Sequence, residues 1–188
     1  MKKETLYRIF SSPPILDTER LTLRAMRESD AEDMYEYARQ PSVTRYLLWS
    51  EHSSQVYTRD YLRYVENRYP VGDFYDWAVI EKESGRMIGT CGFTSIDPVN
   101  NVGEIGYVLN PSYRGRGYAT EAAREVIRFG AEVLGLHRIE ARFMKGNEDS
   151  VRVMERLGMS FEGYSTDSMY VKGKYRTIGT YAVIFEER

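Results

Sequence analysis

The stretch with the clearest chemical character is Arg114-Gly115-Arg116-Gly117-Tyr118-Ala119-Thr120, between an alternating apolar run at 103–110 and a long helical pattern beginning near residue 119. It reads as strand, bend, helix. The first N–H groups of a helix have no internal partner and carry partial positive charge. Glycines 115 and 117 remove side chains that would keep an anion off the backbone, and Arg114 and Arg116 add charge, so the stretch is built as an anion cradle. A P-loop would need Gly-Lys followed by Ser or Thr at the helix start, and no lysine stands there. A dinucleotide fingerprint would need a third glycine where Thr120 sits and would open the fold. A plain turn with solubilising arginines fits the bare tetrapeptide 114–117 equally well.

The elements that position this bend follow from periodicity. Residues 21–25 alternate and predict a first strand. Ser29-Asp30-Ala31-Glu32 has capping-box form, with Ala31, Met34, Tyr35 and Ala38 at helical spacing behind it and Pro41 ending that helix. A second helix is predicted from near Ser54 to about Arg68, with Tyr57, Tyr61, Tyr64 and Val65 as its apolar stripe. Residues 77–80, 87–93 and 103–110 predict a three-stranded antiparallel meander joined by turns at 83–85 and 97–101. After Pro111 the period becomes 3.6, and Ala119, Ala122, Ala123, Val126, Ile127, Gly130, Val133 and Leu134 share one helical face. A strand at 138–143 follows. A helix at 149–157 comes next, closed by Gly158 in a left-handed position, and then a hairpin of 161–171 with 177–185 around Lys172-Gly173-Lys174. The order β-α-α-β-β-β-α-β-α-β-β predicts an α/β (α+β) fold, with helices on both sides of a mostly antiparallel sheet holding one parallel crossover. Ser11-Ser12-Pro13-Pro14 marks the end of a tail, residues 1–15, ahead of a single domain over 16–188.

Composition removes several function classes. A net charge of −2 over 188 residues argues against a nucleic-acid partner, which needs a local excess of Lys and Arg. One cysteine, Cys91, forms no internal disulfide framework, and with only His52 and His137 beside it a Cys/His zinc site is not expected. The apolar runs fall short of the ~20 residues that span a bilayer. No secretory signal is visible, so a cytoplasmic, reduced protein with no membrane partner is expected. Cys91 sits in an apolar strand pattern and reads as a small buried residue rather than a nucleophile. The 16 tyrosines suggest a pocket or surface rich in amphipathic rings.

The pattern Arg-x-x-Gly-x-Ala after a strand and before an amphipathic helix resembles the pyrophosphate motif of the GNAT N-acetyltransferase superfamily. Asn147-Glu148-Asp149-Ser150 leading to Gly158 and Phe161 is similar to that family's Asn-x-x-Ser/Ala…Gly-Phe segment. The opening Thr18-Glu19-Arg20-Leu21-Thr22-Leu23-Arg24, then residues 27–33 and Val43-Thr44-Arg45-Tyr46, resembles the RimJ/RimL branch, whose known members acetylate N-terminal amines of ribosomal proteins. The likeness covers about residues 16–185. It implies a mixed, mostly antiparallel sheet of six to seven strands with a splayed central parallel pair, here strands 103–110 and 138–143.

The resemblance also implies chemistry. Acetyl-CoA would be the donor, a primary amine the acceptor, and direct attack in a ternary complex the route, with no metal. Backbone groups of Val108, Leu109 and Asn110 would pair with the pantetheine arm, one N–H polarising the thioester carbonyl. The N–H groups of Gly115, Arg116, Gly117, Tyr118, Ala119 and Thr120 would hold the pyrophosphate, with Arg114 and Arg116 adding side-chain contacts and Asn147 bonding the arm. Glu104 is the first candidate base and Glu140 the second; for each the plain alternative is an ion pair. Many relatives carry a tyrosine acid where this chain has Met154, so Ser150 is the residue placed to donate to the thiolate. Tyr46, Trp49, Tyr75 and Trp77 are candidate walls of an acceptor groove. The acceptor is a protein N-terminal amine in the first reading. A small-molecule amine (amino acid, polyamine or antibiotic) or a non-catalytic CoA-binding module are the alternatives, and the chain is expected to be a monomer or homodimer.

Overall fold

The computed structural model describes residues 3–186. Eight strands form one sheet in the order β1-β2-β3-β4-β5-β6-β8-β7. They are β1 (Leu16–Asp17), β2 (Leu21–Arg24), β3 (Asp76–Glu81), β4 (Met87–Asp97), β5 (Val102–Leu109), β6 (Arg138–Met144), β7 (Ser160–Val171) and β8 (Lys174–Ile184). Every neighbouring pair is antiparallel except β5 and β6. The strand beyond the seven read from periodicity is β1, two residues long and too short to show alternation.

The helices are α1 (Lys3–Phe10), α2 (Ala31–Ala38), α3 (Pro41–Thr44), α4 (Gln55–Arg68), α5 (Tyr118–Glu132) and α6 (Glu148–Arg156). Alternation along the strands divides the core between the two faces of the sheet. Trp77, Val79, Cys91, Phe93 and Ile105 pack with α1, α5 and α6. Ala78, Ile80 and Met87 pack with α2 and α4, with Val108 against them.

Four local expectations are corrected. Residues 3–10 fall in the expected tail, yet they form α1 and bury Leu6 and Phe10 completely. The Phe10 ring meets Tyr75, Trp77 and Phe129 edge-on. Gly72 permits this docking, because a Cβ there would lie 2.3 Å from the Tyr7 carbonyl oxygen and φ is +79°. The bend before α2 is pinned by Asp30 rather than Ser29: its carboxylate accepts from the Arg27 N–H at 2.8 Å and forks with Arg24 at 2.7 and 2.8 Å. Pro41 begins α3 at its first turn, while α2 has already ended at Ala38. In α4, which starts near Ser54 as expected and is capped by it, the buried stripe is Thr58, Leu62 and Val65, of which only Val65 was in the expected stripe; Tyr57 and Tyr64 face outward.

The sheet divides along its parallel seam. Strands β5 and β6 pair from Val102↔Arg138 to Ile105↔Ala141 and no further. Beyond that point β5 stays with β4 as far as Gly89↔Leu109, and β6 stays with β8 as far as Met144↔Ile178. Each strand follows its outer neighbour, so the last half of both leaves an open wedge.

Candidate active site

The register fixes which backbone groups face the wedge. The Asn110 N–H donates to the Ile88 carbonyl at 2.7 Å. Hydrogen-bonded pairs alternate along an antiparallel ladder, so Val108, opposite Thr90, also turns its backbone to β4. Tyr107 and Leu109 then present their N–H and C=O to the open side. Of the three residues expected to serve the wedge, Leu109 is so oriented, whereas Val108 and Asn110 are held by β4. Tyr107 was passed over in the sequence, although two-residue alternation from Leu109 was the signal for it.

At the end of the wedge lies the glycine bend. Gly115 and Gly117 have φ of +76° and +82°, and Gly117 precedes α5 with no side chain capping the helix. The first-turn amides of α5 therefore lack partners. Arg20 supports the bend from beneath. It donates to the Arg116 carbonyl at 2.9 Å, pairs with Glu121 at 2.6 Å and lies over the Tyr118 ring. A peptide unit is planar and trans, so fixing the Arg116 carbonyl toward Arg20 turns the Gly117 N–H to the outer side. Residues 114–116 are exposed and a Cβ on Gly115 would meet open space. The bend is therefore exposed rather than packed beneath other chain.

Inside the wedge, on the α2–α4 side, is a cavity of about 580 Å³. Its walls include Tyr46, Trp49, Tyr75, Glu104, Asn147 and Ser150. Tyr46 from the loop after α3 donates to the Gly146 carbonyl at 2.8 Å and so bridges to the turn before α6. The fourth aromatic expected in the groove, Trp77, turns the other way. It is fully buried, donates its indole N–H to the Pro14 carbonyl at 2.8 Å and packs on Phe129. Strand alternation puts it on the opposite face from Asp76 and Ala78.

Glu104 faces Arg142 across the wedge at 2.6 Å, with both residues on the cavity wall. Glu140 does not line the cavity; it pairs with Arg138, which also reaches Glu162. Asn147 caps α6, accepting from the Ser150 N–H at 3.4 Å. The Ser150 hydroxyl lies 3.0 Å from the Tyr107 hydroxyl, whose acidity burial lowers further. Arg114 lies 4.0 Å from Asp149. Cys91 is buried, and burial pushes its thiol pKa well up, which leaves it unreactive.

Sequence reading missed one carboxylate altogether. Asp76, the first residue of β3, lines the same cavity. Burial pushes its pKa up to about 7, against bonds from the Trp77 N–H and Thr90 that favour the charged form. Tyr37, Tyr61, His52 and Asp73 share this chamber. Burial lowers the His52 pKa, and its Nδ1 lies 2.8 Å from the Thr58 hydroxyl. Among the described residues no group of three or more His, Cys, Asp or Glu could hold a metal ion, and no helix is long and apolar enough to cross a membrane.

Comparison with known proteins agrees with this geometry. A family profile described as an acetyltransferase (GNAT) domain matches residues 20–160. The chain is 37% identical over 166 residues to "Uncharacterized N-acetyltransferase p20" of Bacillus licheniformis, covering 88% of this chain and 92% of that one. It is 30% identical to "Putative ribosomal N-acetyltransferase YdaF" of Bacillus subtilis, over 90% of this chain and 93% of the other. A crystal structure of a GNAT-family acetyltransferase from Bacillus anthracis superposes with a TM-score of 0.81 at 29% identity, covering 91% of this chain and 98% of its own.

Proposed function

The chain belongs to the GNAT acetyltransferase family and is an acetyl-CoA-dependent N-acetyltransferase of amines, and from that premise we propose how its residues divide the work. The carrying observation is that the cavity opens into the β5–β6 wedge beside a bend whose amides have no partner. The amides of residues 115–120 would hold the diphosphate, with Arg114 and Arg116 flanking it. Leu109 and Tyr107 would pair with the pantetheine arm through their backbones, and Asn147 would fix the α6 end of the wedge. Bound there, acetyl-CoA supplies a thioester carbonyl open to an amine. Ser150, braced by Tyr107, is the hydroxyl placed to donate toward the departing sulfur. Glu104, paired with Arg142, lines the acceptor's approach.

The acceptor in this proposal is the N-terminal amine of a protein, supported by the likeness to the ribosomal N-acetyltransferase named above and by a chamber with room for one terminal residue beside the wedge. A compact cationic amine is the second reading, favoured by the carboxylates of Asp73, Asp76 and Glu104 in an aromatic wall. A single domain that takes in α1 as well as residues 16–188, a monomer or homodimer, and a cytoplasmic place, where acetyl-CoA is made and used, belong to the same proposal.

Calorimetry with coenzyme A, followed by acetylation of unblocked pentapeptides beside spermidine, tests it. Binding with acetyl gain on the peptides is expected. Gain on spermidine alone selects the second reading, and no binding overturns both.

The two acidic candidates separate by mutation. Glu140→Gln breaks one arm of a partly exposed ion cluster and should cost under ~1 kcal/mol, with kcat/KM for the amine within about twofold of wild type. Glu104→Gln removes the partner of Arg142 at the cavity wall and should raise KM for the amine about tenfold with folding intact, about 1.4 kcal/mol of binding. Steady-state kinetics of both variants checks this; equal effects would remove Glu104 from the acceptor's path.

A further inference from the structure

Asp76, Gly92 and Gly106 stand opposite one another on three neighbouring strands. Residues directly opposite in antiparallel strands point to the same face, so the row runs from the Asp76 carboxylate across two positions without side chains. It ends at Gly106, immediately past the last β5–β6 pair, Ile105↔Ala141. The lane is narrow by construction. A Cβ on Gly92 would lie 2.7 Å from Asp76 Oδ1 and 2.3 Å from the Tyr75 carbonyl oxygen. Any side chain at 92 would fill the space between the carboxylate and the wedge.

The chamber around this lane is short of hydrogen-bond partners. Within the protein, the Tyr37 hydroxyl and Asp73 Oδ1 are buried and unpaired, and both line the cavity. Burial together with the nearby Asp76 charge holds the Tyr37 hydroxyl firmly protonated. Buried polar groups in native proteins nearly always find partners, so these two atoms mark a polar guest. An ammonium group has three N–H donors and no acceptor. Asp76, Asp73 and Tyr37 all line this cavity and carry oxygens able to accept from such a group.

We propose that Asp76 seats the acceptor's ammonium group and then takes its proton. This rests on the acetyl-transfer reading above. One N–H bond of the ammonium breaks and an O–H bond forms on the carboxylate. The electron pair stays on nitrogen, which leaves a neutral amine facing the wedge. No cationic side chain among the described residues pairs with Asp76. The groups around it are Tyr37 from α2, Tyr61 from α4, Tyr69 from the turn after α4, Asp73 from the segment before β3, and Thr90 and Cys91 from β4. Burial keeps the three tyrosines and the Cys91 thiol protonated, and the other oxygen of Asp73 is engaged by Arg68. Arg142, on the same cavity wall, is engaged by Glu104, so an incoming ammonium is the cation that Asp76 itself lacks.

Asp76→Asn in the full chain is the test. It keeps the shape and removes the proton acceptor. Coenzyme A affinity by calorimetry should stay at the wild-type value. The kcat/KM for the amine acetylated by the wild type, an unblocked pentapeptide or spermidine, should fall about 100-fold or more. In the wild type kcat/KM should drop on the acid side of about pH 7, and in Asp76→Asn that limb should vanish. Thermal melting gives a readout separate from turnover. The buried carboxylate is easier to ionise in the unfolded chain, so folded stability falls as pH rises from about 4 toward 7. Asp76→Asn should thus melt above wild type at pH 8, the gap closing by pH 5. Wild-type kcat/KM in the variant, or an acid limb that survives in it, overturns the assignment. Failure of the wild type to bind coenzyme A instead overturns the acetyl-transfer reading on which it rests.

Discussion

Gly117→Val should weaken coenzyme A binding at least about 100-fold, near 2.7 kcal/mol, while the protein stays folded. Gly117 holds φ at +82° immediately before α5. A β-branched residue does not tolerate that conformation, at a cost of about 1–3 kcal/mol. The bend would relax, and the amides that the Arg20–Arg116 contact turns outward would lose their common direction. Hydrogen bonds to a charged group contribute about 1.5–3 kcal/mol each, so misdirecting even two reaches the stated loss. A domain with a total stability of about 5–15 kcal/mol survives the strain itself. Gly85→Val is the matched control. Gly85 has φ of +70° with open space around it, in the turn between β3 and β4. It should show the same strain in melting and no change in coenzyme A affinity. Calorimetry on the two variants decides the matter; equal coenzyme A affinities would mean that the cradle does not grip the diphosphate.

Trp77→Ala should destabilise the protein by about 3–5 kcal/mol. For a chain of this size that lowers the melting temperature by roughly 6–20 °C. The indole is fully buried between Phe10 and Phe129, and its N–H satisfies the Pro14 carbonyl. Removing it leaves a cavity, unties the docked α1 and takes the donor from the Pro14 carbonyl. Trp77→Phe keeps the ring contacts and should melt between the two. Scanning calorimetry against kinetics separates this core role from the groove role expected from sequence. A groove wall would raise KM for the amine with melting unchanged, and that result would contradict the structure.

How much of this was legible beforehand varies with the range of the interaction. The meander, the crossover, α5 and the closing hairpin were readable because two-residue and 3.6-residue periods are local consequences of backbone geometry. The strand–bend–helix geometry that suggests an anion site was readable because the glycines, the strand before them and the helix after them are contiguous. Only the resemblance of three separate blocks to one family turned that anion into coenzyme A. The tail was misread because Pro13-Pro14 punctuates the chain there. What makes 3–10 a helix with a purpose is Phe10 meeting Tyr75, Trp77 and Phe129, none of them near in sequence.

The residue types and their order thus settled the family and the donor, and singled out the glycine bend as the proposed seat of its diphosphate. These depend on neighbours along the chain, and the backbone's short repeat distances impose them directly. Tertiary structure decided which backbone groups face the wedge, that Trp77 is core, and that Glu104 is tied to Arg142. It also decided that Asp76, unremarkable in a line of letters, lies in a buried chamber at the end of a two-glycine lane. Each of these is a matter of register between strands or of desolvation by distant side chains. Neither quantity exists until the sheet has formed.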